Sequence, residues 1–191
     1  MIELRIGGAI EQEEDFTSRL LQSISDRFNQ ARFGGLVWSS KVLTSKGHGA
    51  QERIIGADFM SVLSMQHPDM RFTKGFLAQA KFVRGKAVID DRLREQCRRM
   101  LNVSADSFVF VYLADAVRVA GALAVAGAGP RSTLQGVYTV DIVEFFGLHL
   151  RCLIGDQAIR DATPETLDEL ARAAEMAIPR LGLALVASPS G

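Results

Sequence analysis

Residues 52–59 read ERIIGADF and residues 74–81 read KGFLAQAK. These two stretches overlap two strand-like runs, Ala57 to Met65 and Gly75 to Val83, which are rich in residues that favour β-structure. The residues between the runs contain Pro68-Asp69, a pair typical of turns. The sequence therefore predicts a β-hairpin.

The predicted hairpin brings three polar side chains together. If it turns at Asp69-Met70, Asp58 lies opposite Lys81, because both are equally distant from the tip. Gln79 is two residues from Lys81, so the two side chains leave the same face of the sheet. Since the flanking residues are apolar, a polar site is expected within an apolar setting.

The residue types at this site suit metal-assisted hydrolysis of a phosphodiester. A hard divalent cation such as Mg²⁺ prefers oxygen ligands, and Asp58 supplies an anionic oxygen. Gln79 can add its side-chain carbonyl oxygen, and the backbone carbonyl near Ala80 can add another. Lys81 would then orient the attacking water or stabilise the developing negative charge.

A further carboxylate is expected, and the sequence offers two candidates. Residues 11–30 predict an amphipathic helix, because apolar side chains recur every four residues at Phe16, Leu20, Ile24 and Phe28. Glu13 falls on the register of this apolar stripe, so it should face the sheet. Glu52 precedes the Asp58 strand closely enough to reach the same metal, and the choice between the two acids stays open.

The remaining segments favour a single α/β domain over residues 1–191, with a core over about 11–113 and a C-terminal helical extension over about 138–180. Tyr138–Cys152 fits either a helix or a strand pair, and disorder is expected only for 188–191. The other predicted elements are a strand over Gly35–Leu43, a helix from Asp90 to Leu101, strands over Ser107–Leu113 and within Val117–Val125, and a helix from Thr163 to about Ile178.

The order of an acid, then Asp58, then about twenty residues, then Gln79-Ala80-Lys81 resembles the PD-(D/E)XK nucleases. It is most similar to the branch of Mrr-type restriction enzymes, in which Gln replaces the second acidic residue. The strings Gly56–Phe59 and Gln79–Phe82 also resemble nuclease domains of bacterial anti-phage defence proteins. The resemblance covers roughly residues 11–113.

This resemblance implies a restriction-endonuclease-like fold, a central mixed β-sheet flanked by helices, and a Mg²⁺- or Mn²⁺-dependent DNA endonuclease. By the same likeness Asp58 is a metal ligand, Gln79 the substituted acid and Lys81 the catalytic lysine. Ala57 stands where the family has Pro, and Gln79 removes one negative charge from the metal site. The second departure makes Glu13 or Glu52 more necessary.

Contacts to DNA are expected to be local, because Lys+Arg and Asp+Glu are equal at 22 each and the whole molecule has no net field. A basic excess between residues 81 and 99 could contact phosphates, although a solvated helix face explains it equally well. The candidate contact residues are Arg84, Lys86, Arg92, Arg98 and Arg99.

The sequence also argues against several other classes of protein. Cys97 and Cys152 are isolated, which argues against a zinc site or a disulfide scaffold. Residues 1–5 lack a signal-peptide pattern and the longest apolar run, 119–129, is too short to span a bilayer, so a soluble cytoplasmic protein is expected. Neither a G-x-S-x-G elbow nor a Walker lysine occurs.

Two rival functions stay open. One is a catalytically inactive nuclease-fold protein that serves as a nucleic-acid-binding or assembly subunit, which Gln79 and the zero net charge favour. The other is an interaction module in which Lys81 and Asp58 form a buried ion pair. A homodimer or partner subunits of a defence system would suit cutting of both strands, but the sequence carries no signal for either.

Overall fold

The computed structural model describes residues 13–29, 31–33, 36–44, 56–160 and 181–189. Their architecture is α/β, with one mixed sheet that has helices on both faces, as the sequence predicts. The helices within these residues are α1 (Glu13–Phe28), α2 (Asp91–Val103), α3 (Ala122–Ala126) and α4 (Ile142–Leu150), and one turn of 3₁₀-helix spans Leu134–Gly136.

Eight strands of the described chain form the sheet, in the order β1-β2-β8-β3-β4-β5-β6-β7. The pairs β3–β8 and β4–β5 are parallel, and the other neighbours are antiparallel. The strands are β1 (Arg32–Phe33), β2 (Leu36–Thr44), β3 (Phe59–His67), β4 (Met70–Phe82), β5 (Ser107–Tyr112), β6 (Val117–Gly121), β7 (Thr139–Asp141) and β8 (Leu181–Pro189).

Helices α1 and α4 cover one face of the sheet. The apolar stripe of α1 is buried there, with Phe16, Leu20 and Ile24 each at most 6% exposed. Full burial of such a side chain contributes about 1.5–3 kcal/mol. Phe145 of α4 lies on the same face and packs edge-on against aromatic rings of β4 and β5. This packing fixes the position of the first turn of α1, where Glu13 lies.

Helices α2 and α3 cover the opposite face. Asp90 caps α2, since its Oδ1 accepts a hydrogen bond of 2.7 Å from Leu93 N, as expected for an acidic residue at a helix start. Leu93, Cys97 and Met100 form the buried stripe of α2. The predicted helix is therefore confirmed, and it extends to Val103.

The predicted hairpin is confirmed as β3 and β4, but the predicted register was wrong by two residues. His67 pairs with Met70, so the tip is Pro68-Asp69, and Phe59 pairs with Ala78. Asp58 therefore lies beside Gln79 and not opposite Lys81. Because side chains alternate with a period of two, a shift of two residues keeps every side chain on its predicted face.

The strand expected within Val117–Val125 is confirmed as β6, and the small residues that follow it form α3. Residues 138–152 contain both β7 and α4. Ser188 and Pro189, expected to be disordered, belong to β8, where pairing with β2 holds their backbone. The predicted helix over 163–178 lies outside the described residues.

Among the residues that the structure describes, none of the helices has the length and apolar character that crossing a bilayer requires.

Candidate metal and active site

The candidate site lies where β4 continues past the start of β3. Since Phe59 pairs with Ala78, residues 79–82 of β4 extend beyond the first residue of β3. Successive backbone groups of a strand point to alternate sides, and those of Ala78, Ala80 and Phe82 face the β3 side, as the bond from Asp58 N to Ala78 O shows. The N–H groups of Ala80 and Phe82 therefore need acceptors other than a strand.

Two carboxylates supply these acceptors. Asp58 Oδ2 accepts a hydrogen bond of 2.8 Å from Ala80 N, and Glu13 Oε2 accepts one of 2.8 Å from Phe82 N. Asp58 comes directly before β3, whereas Glu13 is the first residue of α1. The structure thus brings the carboxylate of Glu13 to the same strand edge as Asp58, where its two oxygens accept hydrogen bonds from Lys81 Nζ and Phe82 N.

Lys81 completes this end of the strand. Its Nζ lies 3.0 Å from Glu13 Oε1, and the two side chains are 28% and 31% exposed. Lys81 was expected opposite Asp58. In the observed register it lies two residues further along β4 and forms its ion pair with Glu13 of α1. The ammonium group is held at the mouth of the site, partly open to solvent.

Gln79 occupies the buried centre, with an exposed fraction of 1%. Its Nε2 donates to Asp58 Oδ2 at 2.5 Å and to the backbone oxygen of Ala80 at 3.0 Å. Its Oε1 is buried and has no hydrogen-bond partner among the described residues. A buried acceptor without a hydrogen-bond partner lowers the stability of a fold by about 1–3 kcal/mol. The Gln79 amide is therefore held in an orientation that leaves its oxygen unbonded.

The arrangement of Gln79 fits a divalent cation. Rotation of the amide by half a turn exchanges Nε2 and Oε1, so the orphaned oxygen would face the two oxygens that Nε2 now bonds. Asp58 Oδ2, Ala80 O and Gln79 Oε1 would then converge, and a cation between them would offset their repulsion, while Nε2 would take the buried position without a partner. Oxygen ligands of this kind, completed by water, suit Mg²⁺ or Mn²⁺.

The formal charge of the site also favours a cation. Asp58 and Glu13 contribute two negative charges and Lys81 one positive charge. The part of the chain that the structure describes holds no group of three or more His, Cys, Asp or Glu side chains placed to bind a metal. The oxygens around Gln79 are of a different kind, because they include those of an amide and a backbone carbonyl. Glu52, the rival acid, lies outside the described residues.

The titratable neighbours of the site stay uncharged near neutral pH. Burial raises the pKa of the Cys97 thiol to about 12, although the positive charge of Lys81 opposes this rise. Burial also raises the pKa of Tyr112, whose hydroxyl lies 2.9 Å from Thr17 Oγ1. Cys97 is therefore a neutral packing residue of α2 and not a nucleophile.

Gly56 positions the segment that carries Asp58 against α2. Its φ is +79°, and a Cβ added there would lie 2.3 Å from the backbone oxygen of Gln96. Glycine is thus needed both for its conformation and for close approach to the helix. The sequence alone does not show this need for glycine, because the contact joins residues distant in the chain. Gln96 also has a buried Oε1 with no partner in the described chain.

The predicted DNA-contacting residues fall into two groups. Arg98 and Arg99 of α2 both pair with Glu95, at 3.7 and 3.0 Å, so their charge is partly neutralised. The other three side chains, which are exposed and have no ion pair with any described residue, are Arg84, Lys86 and Arg92.

A second polar cluster, which the sequence did not indicate as a site, lies near the other end of β4. Lys74 is 2% exposed and donates to the backbone oxygens of His149 and Ile154, the latter at 2.6 Å. Burial and the nearby charge of Lys74 lower the pKa of His149 to about 4. The position of Lys74 between Phe72 and Phe76 on one strand face was the available signal for its burial.

No protein-family model matches the chain, and comparison with curated proteins and with solved structures gave no match either.

Proposed function

We propose that this protein is a metal-dependent nuclease that hydrolyses DNA phosphodiester bonds, with a restriction-endonuclease-like arrangement of its hairpin and first helix. The observation that carries the proposal is the environment of Gln79. Its buried amide bonds to one carboxylate and one backbone carbonyl, while its own oxygen lacks a partner among the described residues. The resemblance of Asp58 and Gln79-Ala80-Lys81 to PD-(D/E)XK nucleases, of the Mrr-like and anti-phage defence type, agrees with this chemistry.

Each polar group has a defined part in the proposed reaction. Asp58, Gln79 and the carbonyl of Ala80 would hold a Mg²⁺ or Mn²⁺ ion, and the ion would supply positive charge for the phosphate and a more acidic water. Glu13 fixes the ammonium group of Lys81 at the end of β4. Lys81 orients the attacking water and stabilises negative charge that develops on the phosphate.

The reaction proposed for this site is simple hydrolysis. The oxygen of a water molecule forms a bond to phosphorus, and the bond between phosphorus and the leaving oxygen breaks. One proton of the water passes to solvent and the leaving oxygen takes up a proton, so the products are a phosphate monoester and a hydroxyl group. No redox partner is needed.

Plasmid cleavage tests the proposal. Supercoiled plasmid is incubated with Mg²⁺ or Mn²⁺ and the wild-type protein, Lys81→Ala, Asp58→Asn or Arg71→Ala. Arg71 is an exposed cation at the hairpin end of β4, so Arg71→Ala controls for loss of positive charge. We expect Lys81→Ala and Asp58→Asn to cut at least about 100-fold more slowly, which is the usual cost of losing one group that stabilises a transition state.

Thermal melts of all four proteins show whether each variant is folded. Equal cutting by the wild-type protein and a folded Lys81→Ala variant would contradict the hydrolase proposal, because the activity would then belong to a contaminant or to another site.

A second candidate function is a nuclease-fold subunit that binds nucleic acid without cutting it. The hydrogen bond between Gln79 and Asp58 favours it, because the amide can close the site without a metal. Calorimetric titration with Mn²⁺ separates the two functions. Heat of binding that disappears in Asp58→Asn supports the nuclease, whereas a wild-type protein that binds DNA but no Mn²⁺ supports the inactive subunit.

A further inference from the structure

A cleft of about 520 Å³ lies beside the loop that follows β4. Lys86 contributes from this loop, and Arg131, Ser132 and Thr133 contribute from the segment after α3. The volume is within the range of about 300–1,000 Å³ that is usual for ligand pockets. Two cations and two hydroxyl groups from distant parts of the chain therefore line one cleft.

Hydrogen bonds hold the two walls of the cleft together. Ile89 N donates to Ser132 O at 2.9 Å, and Leu134 N donates to Ala87 O at 2.9 Å. Gln135 adds a clamp, because its Nε2 donates to Gly85 O at 2.7 Å. Lys86 lies between Gly85 and Ala87, which these bonds anchor to Gln135 and Leu134, so its backbone is fixed at one wall of the cleft that Arg131 also lines.

The turn before Arg131 is also fixed, by α2. Arg94 donates from Nε to Ala128 O at 3.3 Å and from Nη2 to Gly129 O at 2.9 Å. Arg131 itself has a φ of +65°, a conformation that is unfavourable for a residue other than glycine. The surrounding structure therefore holds Arg131 in place at some energetic cost, as is common where a side chain has a specific use.

The charge of the cleft is unbalanced. Neither Lys86 nor Arg131 forms an ion pair with an acidic side chain in the described part of the chain. Arg98 and Arg99, by contrast, share Glu95. Two unpaired cations beside two hydroxyl donors match the chemistry of a phosphate group, which accepts hydrogen bonds on several oxygens.

We propose that this cleft, the phosphate cleft, binds a backbone phosphate of the DNA strand that is cut. This inference rests on the proposed nuclease function. Lys86 is five residues beyond Lys81, so their Cα atoms are at most about 18 Å apart. One strand of DNA carries a phosphate about every 3.4 Å along its axis, so the two sites are within about five nucleotides of each other.

The salt dependence of DNA binding tests the phosphate cleft. A short fluorescent DNA duplex is titrated in Ca²⁺, with KCl varied, using wild-type protein and the double variant Lys86→Gln/Arg131→Asn. Asparagine is chosen because it tolerates the positive φ of position 131. Each lost phosphate contact lowers the magnitude of the slope of log K against log salt by about 0.9, so loss of this one phosphate should reduce that magnitude by about 0.9.

The control is Arg71→Ala, which removes a cation at the far end of β4 and should leave the slope unchanged. A double variant with the wild-type slope overturns the proposal. If, in addition, inorganic phosphate raises the melting temperature of the wild-type protein and not that of the double variant, the cleft takes a free phosphate anion and not the DNA backbone.

The nuclease proposal and the cleft proposal fail separately in these experiments. If the wild-type protein and Lys81→Ala cut plasmid equally, the nuclease proposal is wrong. A difference in salt dependence between wild type and the double variant would then still report DNA binding at the cleft. Loss of cutting in Lys81→Ala, together with an unchanged slope in the double variant, keeps the hydrolase and removes the phosphate cleft.

Discussion

At the scale of single residues, Gln79 links the structure to the proposed chemistry. It was predicted to take the place of an acidic ligand, and the structure buries its amide between Asp58 and the carbonyl of Ala80. Its presence on the same face as Lys81 could be read from sequence, because strand side chains alternate. The Oε1 that lacks a partner in the described chain could not be foreseen, since it depends on how the amide is turned in three dimensions.

Gln79→Glu should make the protein depend on metal for stability. Without metal, the new carboxylate loses the bond to Asp58 and repels it, and we expect the free energy of unfolding to fall by about 1–3 kcal/mol. With Mn²⁺, a second anionic ligand should bind the cation more tightly. The rise in melting temperature on addition of Mn²⁺ should therefore be larger for Gln79→Glu than for the wild-type protein.

Gln79→Met is the matched control, because it keeps the size of the side chain and removes both polar atoms. If Mn²⁺ shifts the melting temperatures of Gln79→Glu and Gln79→Met by the same amount, position 79 is not part of a metal site.

At the scale of elements, the hairpin and α1 were predicted from periodicity and turn residues, and both are confirmed. The register was not predicted, because Pro68-Asp69 and Asp69-Met70 are both acceptable tips and only the pairing of whole strands decides between them. The error left the face of Asp58 unchanged but changed the partner of Lys81 to Glu13. The alternation of side chains along a strand therefore predicts which face of the sheet a residue lies on more reliably than it predicts which residue it contacts.

The close packing of the segment that carries Asp58 against α2 predicts that replacing Gly56 destabilises the protein. Gly56→Ala combines a strained φ with a clash against the backbone of Gln96, so it should lower the free energy of unfolding by more than about 2 kcal/mol. Gly85 is the control, because its φ is +85° but no atom lies within 4 Å of an added Cβ. Gly85→Ala should cost only the conformational part, about 1 kcal/mol.

Urea denaturation measures both losses. Equal losses in Gly56→Ala and Gly85→Ala would mean that the approach to α2 contributes nothing, and that this contact does not hold the Asp58 segment in place.

At the scale of the whole molecule, β8 is a central strand that the sequence analysis did not predict. It pairs in parallel with β3 and antiparallel with β2, so it lies inside the sheet and not at its edge. Residues 181–187 read LGLALVA, an apolar run that fits an inner strand, but the sequence does not show which strands it pairs with because they are far away in the chain. The zero net charge means that no field of the whole molecule attracts polyanions, so the proposed DNA contacts would have to be local.

Acid should destabilise the whole fold through His149. Its pKa is lowered on folding from 6.5 to about 4, so the unfolded chain takes up the proton first as the pH falls. The contribution to stability is complete above about pH 6.5 and is lost on the way to about pH 4, and it amounts to about 3 kcal/mol. Urea unfolding at a series of pH values measures this slope.

His149→Gln should remove that part of the pH dependence, whereas His67→Gln, at the partly exposed hairpin tip, should leave it unchanged. A slope that persists in His149→Gln would assign the acid sensitivity to other groups.

The most direct test of the metal site is anomalous diffraction from crystals soaked in Mn²⁺. The proposed arrangement predicts one anomalous peak within bonding distance of Asp58 Oδ2, the carbonyl oxygen of Ala80 and Gln79 Oε1, with the amide turned from its hydrogen bond to Asp58. A well-ordered soaked crystal with no peak there, and with Nε2 of Gln79 still bonded to Asp58, would contradict it.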